Sequence, residues 1–228
     1  MSFYEELLSA TAPDRARLLS VPLFTEVMAG RATRALYIAF LTEAYHHVKH
    51  TVPLMMACGA RLTDEHEWLR ERITHYIDEE YGHHEWILND IGAAGGDAEA
   101  VRHSRPSAET ELMVSYAYDT IHRGNPVGFF GMVHVLEGTS IELATAAAGQ
   151  IAGALQLPKK AFTYLNSHGA LDLEHVDFFR DLVNRLDRPA DRDAVVHGAR
   201  MFFRLYGDIF RRLHLEYFAC NSKAAVSC

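Results

Sequence analysis

Three short stretches of this sequence carry side chains whose types and spacing suit metal ligation. In the segment 167–175, His168, Asp172 and His175 stand at i, i+4 and i+7, which is one face of a helix. Leu171, Phe179, Leu182 and Leu186 continue that face, so three ligand-type groups enter an apolar interior where an unpaired charge is costly. A single buried His is ordinarily a hydrogen-bonded core residue. Two His and an Asp on one buried stripe are better explained by a bound cation.

The second stretch runs from Ile73 to Ile87. Glu80 and His83 lie three residues apart, and Ile73, Tyr76 and Ile87 share their face. An exposed helix laced with i, i+3 and i, i+4 charge pairs accounts for Asp78, Glu79 and Glu85, but poorly for Glu80 and His83 beside Ile and Tyr. E-x-x-H on one helix can offer a two-metal site both a bridging carboxylate and an imidazole, although alone the motif is short and common. The third stretch centres on Glu137, whose face carries Phe130, Val133, Ile141 and Ala144. Taken alone, Glu137 reads as a carboxylate bonded to a neighbouring helix. Together the stretches offer three carboxylates (Glu80, Glu137, Asp172) and three imidazoles (His83, His168, His175). That oxygen and nitrogen set, without Cys, suits iron or manganese better than zinc. Six ligands also exceed what one catalytic zinc needs, so two metals are the natural reading.

A competing cluster, Glu43, His47 and His50, also shares one helical face, with Leu54 below it. These residues read as ligands, as partners that hold ligands in place, as polar walls of a substrate pocket, or as a solvated face beside His46 and Lys49. Tyr45, Tyr76 and Phe130 are expected as pocket neighbours. Lys49 is either a partner for a substrate carboxylate or a surface lysine.

The elements that must position these groups are helical throughout. Helices are expected over residues 3–10 and 14–29, over 33–60 with a bend at Pro53, and over 63–91 with a stop at the glycines from Gly92 to Gly96. A loop with a short turn follows to Pro106. Further helices are expected over 107–122, 126–155, 158–186 and 190–218, with residues 219–228 as a disordered tail. Alternating strand patterns, repeats and Pro- or Ser-rich linkers are absent from the sequence, so one all-α domain over residues 1–228 is expected.

The totals are compatible with this. The 228 residues fit a single domain with a sizeable core, and 49% hydrophobic with 23% charged residues is ordinary for a globular chain. A net charge of −8 without a Lys/Arg block argues against nucleic acid as a partner. The apolar runs are too short and interrupted for a membrane span, and no basic region precedes an apolar core as in a signal peptide. Three Cys without a disulfide pattern suit a reducing, cytoplasmic setting. The 14 His are the one unusual count.

The order E-x-x-H, then Glu-Gly, then H-x-x-x-D-x-x-H resembles the haem-oxygenase-like di-iron oxidases and oxygenases. Here those pieces are Glu80/His83, Glu137-Gly138 and His168/Asp172/His175, and the resemblance spans about residues 33–186. It implies a seven-helix bundle of the TenA/PqqC-like type. It further implies two irons per chain, the second loosely held, with manganese as an alternative occupant. The activity implied is O2 activation on a small carboxylic acid or amino-acid-derived substrate, with an external electron donor and a homodimeric assembly. Two other readings stay open. One is a metal-free member of the same fold, such as a TenA-like thiamine-salvage hydrolase, which needs a Cys nucleophile, or a PqqC-like oxidase. The other is a non-catalytic haem- or metal-binding helical protein. The apolar face of the last helix, with Phe202, Phe203, Phe210 and Leu213, reads as either core or dimer surface.

Overall fold

A computed structural model describes residues 1–219, apart from the side chains of 140–146, 168–175 and 219. It comprises eleven α-helical segments: α1 (Phe3–Leu19), α2 (Pro22–Met28), α3 (Arg34–Val48), α4 (Thr51–Arg61), α5 (Glu67–Glu80), α6 (His83–Ala93), α7 (Ala98–Arg102), α8 (Ala108–Arg123), α9 (Phe130–Leu155), α10 (Thr163–Asn184) and α11 (Pro189–His214). Among the described residues there is no strand, as expected. The tail beyond 219 lies outside the described residues.

The segment count exceeds seven because the chain breaks where unbroken helices were expected. The helix over 33–60 is two helices parted at Lys49 and His50. Pro53 does not bend a helix; it sits in the first turn of α4, where its missing N–H has no intrahelical partner to lose. The helix over 63–91 begins with a 3₁₀ turn at Asp64–His66 and is cut between Glu80 and His83. Gly82 stands there at φ +93°, a left-handed conformation that ends α5 and sets α6 on a new course. At the N-terminus the correction runs the other way. α1 continues through Pro13, because both Pro13 and Ser9, whose carbonyl loses its donor, are exposed to water. Ser2 and Glu5 close its start as a reciprocal capping box.

α9, α10 and α11 form the centre. α10 packs most extensively along α9 and also touches α6; α11 packs on α9, α1 and α8. α11 crosses the start of α9 and the 3₁₀ turn before it with backbones touching, since a Cβ at Gly131 would strike the α11 main chain and one at Gly198 the Gly128 carbonyl. Phe202, Phe203, Phe210 and Leu213 of α11 are all buried in this chain's own core. That face therefore supplies no dimer surface. Among the described residues, no helix is long and apolar enough to cross a membrane.

Candidate metal centre

Glu80 and His83 meet although they belong to different helices. Glu80 is the last residue of α5 and His83 the first of α6, so the motif bridges a corner instead of sharing a helix face. The left-handed Gly82 folds the chain back enough to bring His83 Nδ1 within 3.0 Å of Glu80 Oε2. The two side chains keep only 3% and 10% of their surface. Trp86 lies tilted against the His83 ring, with centroids 4.0 Å apart, which fixes the ring plane.

Glu137 comes from α9 and lines the same cavity as Glu80, together with His47, Met132, Leu136, Tyr164 and Tyr206. The cavity has a volume of about 90 Å³. Tyr76, fully buried on α5, places its hydroxyl 3.5 Å from Glu137 Oε2. Burial, then the charge and hydrogen bond of Glu137, then Glu80 and Glu79 push the Tyr76 phenol well above its ordinary range. Three carboxylates thus act on one buried hydroxyl. Like charge gathered in a low-dielectric setting requires a cation or a proton to balance it.

The remaining expected ligands, His168, Asp172 and His175, lie on α10 but outside the residues whose side chains are described. Their helix is nevertheless tied to the helices that carry the described ligands. Asp90 of α6 is fully buried and accepts the N–H groups of Thr163 (3.0 Å) and Tyr164 (2.8 Å), closing the first turn of α10. Burial raises the Asp90 pKa, and these two N–H groups oppose the rise. Tyr37 of α3 adds a hydrogen bond of 2.6 Å to the Ala161 carbonyl just before α10. Among the described residues alone, no three His, Cys, Asp or Glu side chains form a metal-sized group.

The other expected pocket residues divide. His47 lines the cavity, with its ring edge-on to Tyr206 at 5.9 Å. Glu43 does not. It is buried in a closed knot, accepting from Thr110 Oγ1 (2.5 Å), Ser107 Oγ (2.9 Å), Ser107 N (3.2 Å) and Arg212 Nη2 (2.9 Å). Burial opposes its charge, but these donors outweigh burial and hold its carboxyl below the usual range. His50 points away, its Nδ1 3.1 Å from the Tyr118 hydroxyl. Tyr45 stacks edge-on with His46 under the Lys49 ammonium, and Lys49 Nζ lies 3.2 Å from His46 Nδ1. Phe130 is core, and its neighbour Phe129 lines the cavity instead, one residue earlier in the 3₁₀ turn that precedes α9.

Asp90, Tyr164 and Tyr206 escaped the sequence reading. Asp90 had a signal, because it stands seven residues after His83 on the same helical face. Tyr206 shares the apolar stripe of α11 with Phe210 and Leu213, and nothing in the spacing marks its hydroxyl.

A family model described as iron-containing redox enzyme matches residues 38–207. The chain belongs to this family. Its fold is that of the haem oxygenase-like proteins. A domain of unknown function with this fold from Shewanella denitrificans is 26% identical, with a TM-score of 0.86 over 97% of this chain and 96% of that one. A TenA homologue from Pseudomonas syringae pv. tomato is 14% identical, with a TM-score of 0.76 over 92% of each chain. A haem oxygenase from Leptospira interrogans is 15% identical, with a TM-score of 0.73 over 93% of this chain and 100% of that one. No curated protein matches the sequence. Membership in the family implies iron and redox chemistry.

Proposed function

We propose that this iron-containing redox enzyme is a non-haem di-iron oxidase or oxygenase acting on a small carboxylic acid or amino-acid-derived substrate. The observation that carries the reading is the convergence of Glu80 and Glu137, from α5 and α9, on one buried cavity, with His83 of α6 bonded to Glu80. The donor chemistry fits iron: carboxylate oxygens and an imidazole nitrogen, with no thiol in the cavity lining. Glu80, His83 and Glu137 would hold the metals together with His168, Asp172 and His175 of α10. Bound ferrous ions would supply electrons and open coordination positions to O2. Tyr76 steadies Glu137 from the side of the core and, with its raised pKa, keeps its proton there. Trp86 orients His83, and the apolar side chains Leu54, Met132 and Leu136 keep the cavity dry. O2, an electron donor and the small substrate are the partners this reading requires.

Thiol-dependent hydrolysis of the TenA type is not favoured. Cys58 is fully buried, donates to the Pro126 carbonyl at 3.3 Å, and has its pKa pushed up to about 12 by burial. It is an inert core residue.

Anaerobic loading with ferrous ions and metal counting, followed by O2 addition under visible absorption, tests the reading. We expect about two irons per chain and an O2-dependent spectral change, with both lost in His168→Ala and Glu137→Ala. Folded protein that takes up no iron overturns it.

A further inference from the structure

A second cavity, of about 110 Å³, adjoins the first. Its walls come from α2, α3, α9, α10 and α11 and are almost wholly apolar: Leu23, Phe24, Leu36, Phe40, Ile151 and Leu165 among them. Two of the hydroxyls in its lining are already committed, Thr139 to the Val135 carbonyl at 2.5 Å and Tyr37 to the Ala161 carbonyl at 2.6 Å. This chamber therefore offers a ligand hydrophobic surface and little else. Tyr164 and Tyr206 line both cavities and stand between them.

Tyr206 is the more telling of the two. Its ring is wedged between Phe210 (centroids 4.8 Å apart) and His47 (5.9 Å). The residue is partly buried, and its hydroxyl makes no hydrogen bond among the described residues. Here the places a partner can come from are the two chambers the residue separates.

Building on the di-iron reading, we propose that the two cavities receive one amphipathic acid, with its apolar tail in the second chamber and its polar reacting end beside Glu80 and Glu137. Tyr206 is then the specificity-determining residue at the passage: its ring limits the tail and its hydroxyl meets the head. The chamber is smaller than a 150 Å³ cavity that takes up benzene, so it accommodates a tail of about four to six carbons. Free polar amino acids would leave its walls uncovered.

Calorimetry with two probe series tests this. Straight-chain carboxylates from butanoate to dodecanoate are titrated into ferrous-loaded protein under nitrogen, and matching 1-alkanols into metal-free protein. Both affinities should rise about three- to fourfold per methylene and level off once the chamber is full. Ala147→Phe, which fills the chamber from α9, should abolish the rise, and Leu165→Ala, which enlarges it, should move the plateau to longer chains. Tyr206→Phe should keep the plateau and weaken the carboxylates about tenfold. Affinities that ignore chain length in folded protein, or a plateau that neither chamber variant moves, overturn the proposal. Because the alkanol series needs no metal, failure of iron uptake counts against the di-iron reading alone, whereas a flat alkanol series counts against this one.

Discussion

Two buried carboxylate clusters in this molecule are finished differently. Glu43 meets four donors from Ser107, Thr110 and Arg212, so α3, α8 and α11 are tied together by a charge that the protein itself neutralises. Glu80 and Glu137 instead face a cavity, and Glu79 adds to the negative charge felt by Tyr76. In the sequence both sets look alike, since each is acidic and histidine-bearing on an apolar helix face. What separates them is the setting: Glu43 is enclosed by its donors, whereas Glu80 and Glu137 line a cavity. A carboxylate wrapped in donors is structural, and one that lines a cavity can meet a ligand.

That contrast can be broken by experiment, beginning with the largest effect. Glu137→Ala should cut iron affinity by more than the roughly 100-fold that loss of an outer-shell partner costs, as counted by metal analysis after desalting, with little change in the melting temperature of the metal-free protein. Glu43→Gln should do the reverse, retaining iron while destabilising the fold by about 2 kcal/mol in urea, because an amide donor replaces a carboxylate oxygen that accepts from Ser107, Thr110 and Arg212. The same variant carries a pH signature. The folded Glu43 pKa lies below its ordinary value, so its contribution is complete above that value and disappears as the pH falls through the depressed one. The acid limb of a stability profile should therefore be shallower in Glu43→Gln. Asp90→Asn sets an amide donor against the N–H groups of Thr163 and Tyr164, and should cost about 2 kcal/mol and weaken iron binding as well, because α10 loses its fixed start. Gly82→Ala is the mildest. No atom lies within 4 Å of the added Cβ, so the expected loss of about 1 kcal/mol is backbone strain alone, measurable as a small shift of the urea midpoint.

Much of the bundle was legible because a period of 3.6 survives any detail of packing. The breaks were less so. Pro53 was expected to bend a helix and instead starts one, three residues beyond a parting at Lys49 and His50 that neither residue type announces. Pro13 looked like a boundary and is not, since a proline on a wet face leaves its orphan carbonyl to solvent. For the site, spacing brought Glu80, His83, Glu137, Tyr76 and His47 into view together. It brought in Glu43, His50 and Tyr45 with equal force, because helical spacing reports a face and not what lies opposite. Glu43 is capped by Ser107 and Thr110, more than sixty residues away, and no local pattern encodes that. Phe130 differs from the lining residue Phe129 by one position, an error of 100° in phase that the preceding 3₁₀ turn introduces.

The corner at Gly82 joins two rods through a single left-handed residue. With Glu80 on one side of it and His83 on the other, an ion held by both would act as a clasp across a hinge, and its binding energy would appear as rigidity of the whole α5–α6 elbow. By mass action, free metal at 100 times its dissociation constant would add about 2.7 kcal/mol to the folded state. The melting temperature would then climb with the logarithm of metal concentration, and the thermal endurance of the chain would report how much iron surrounds it.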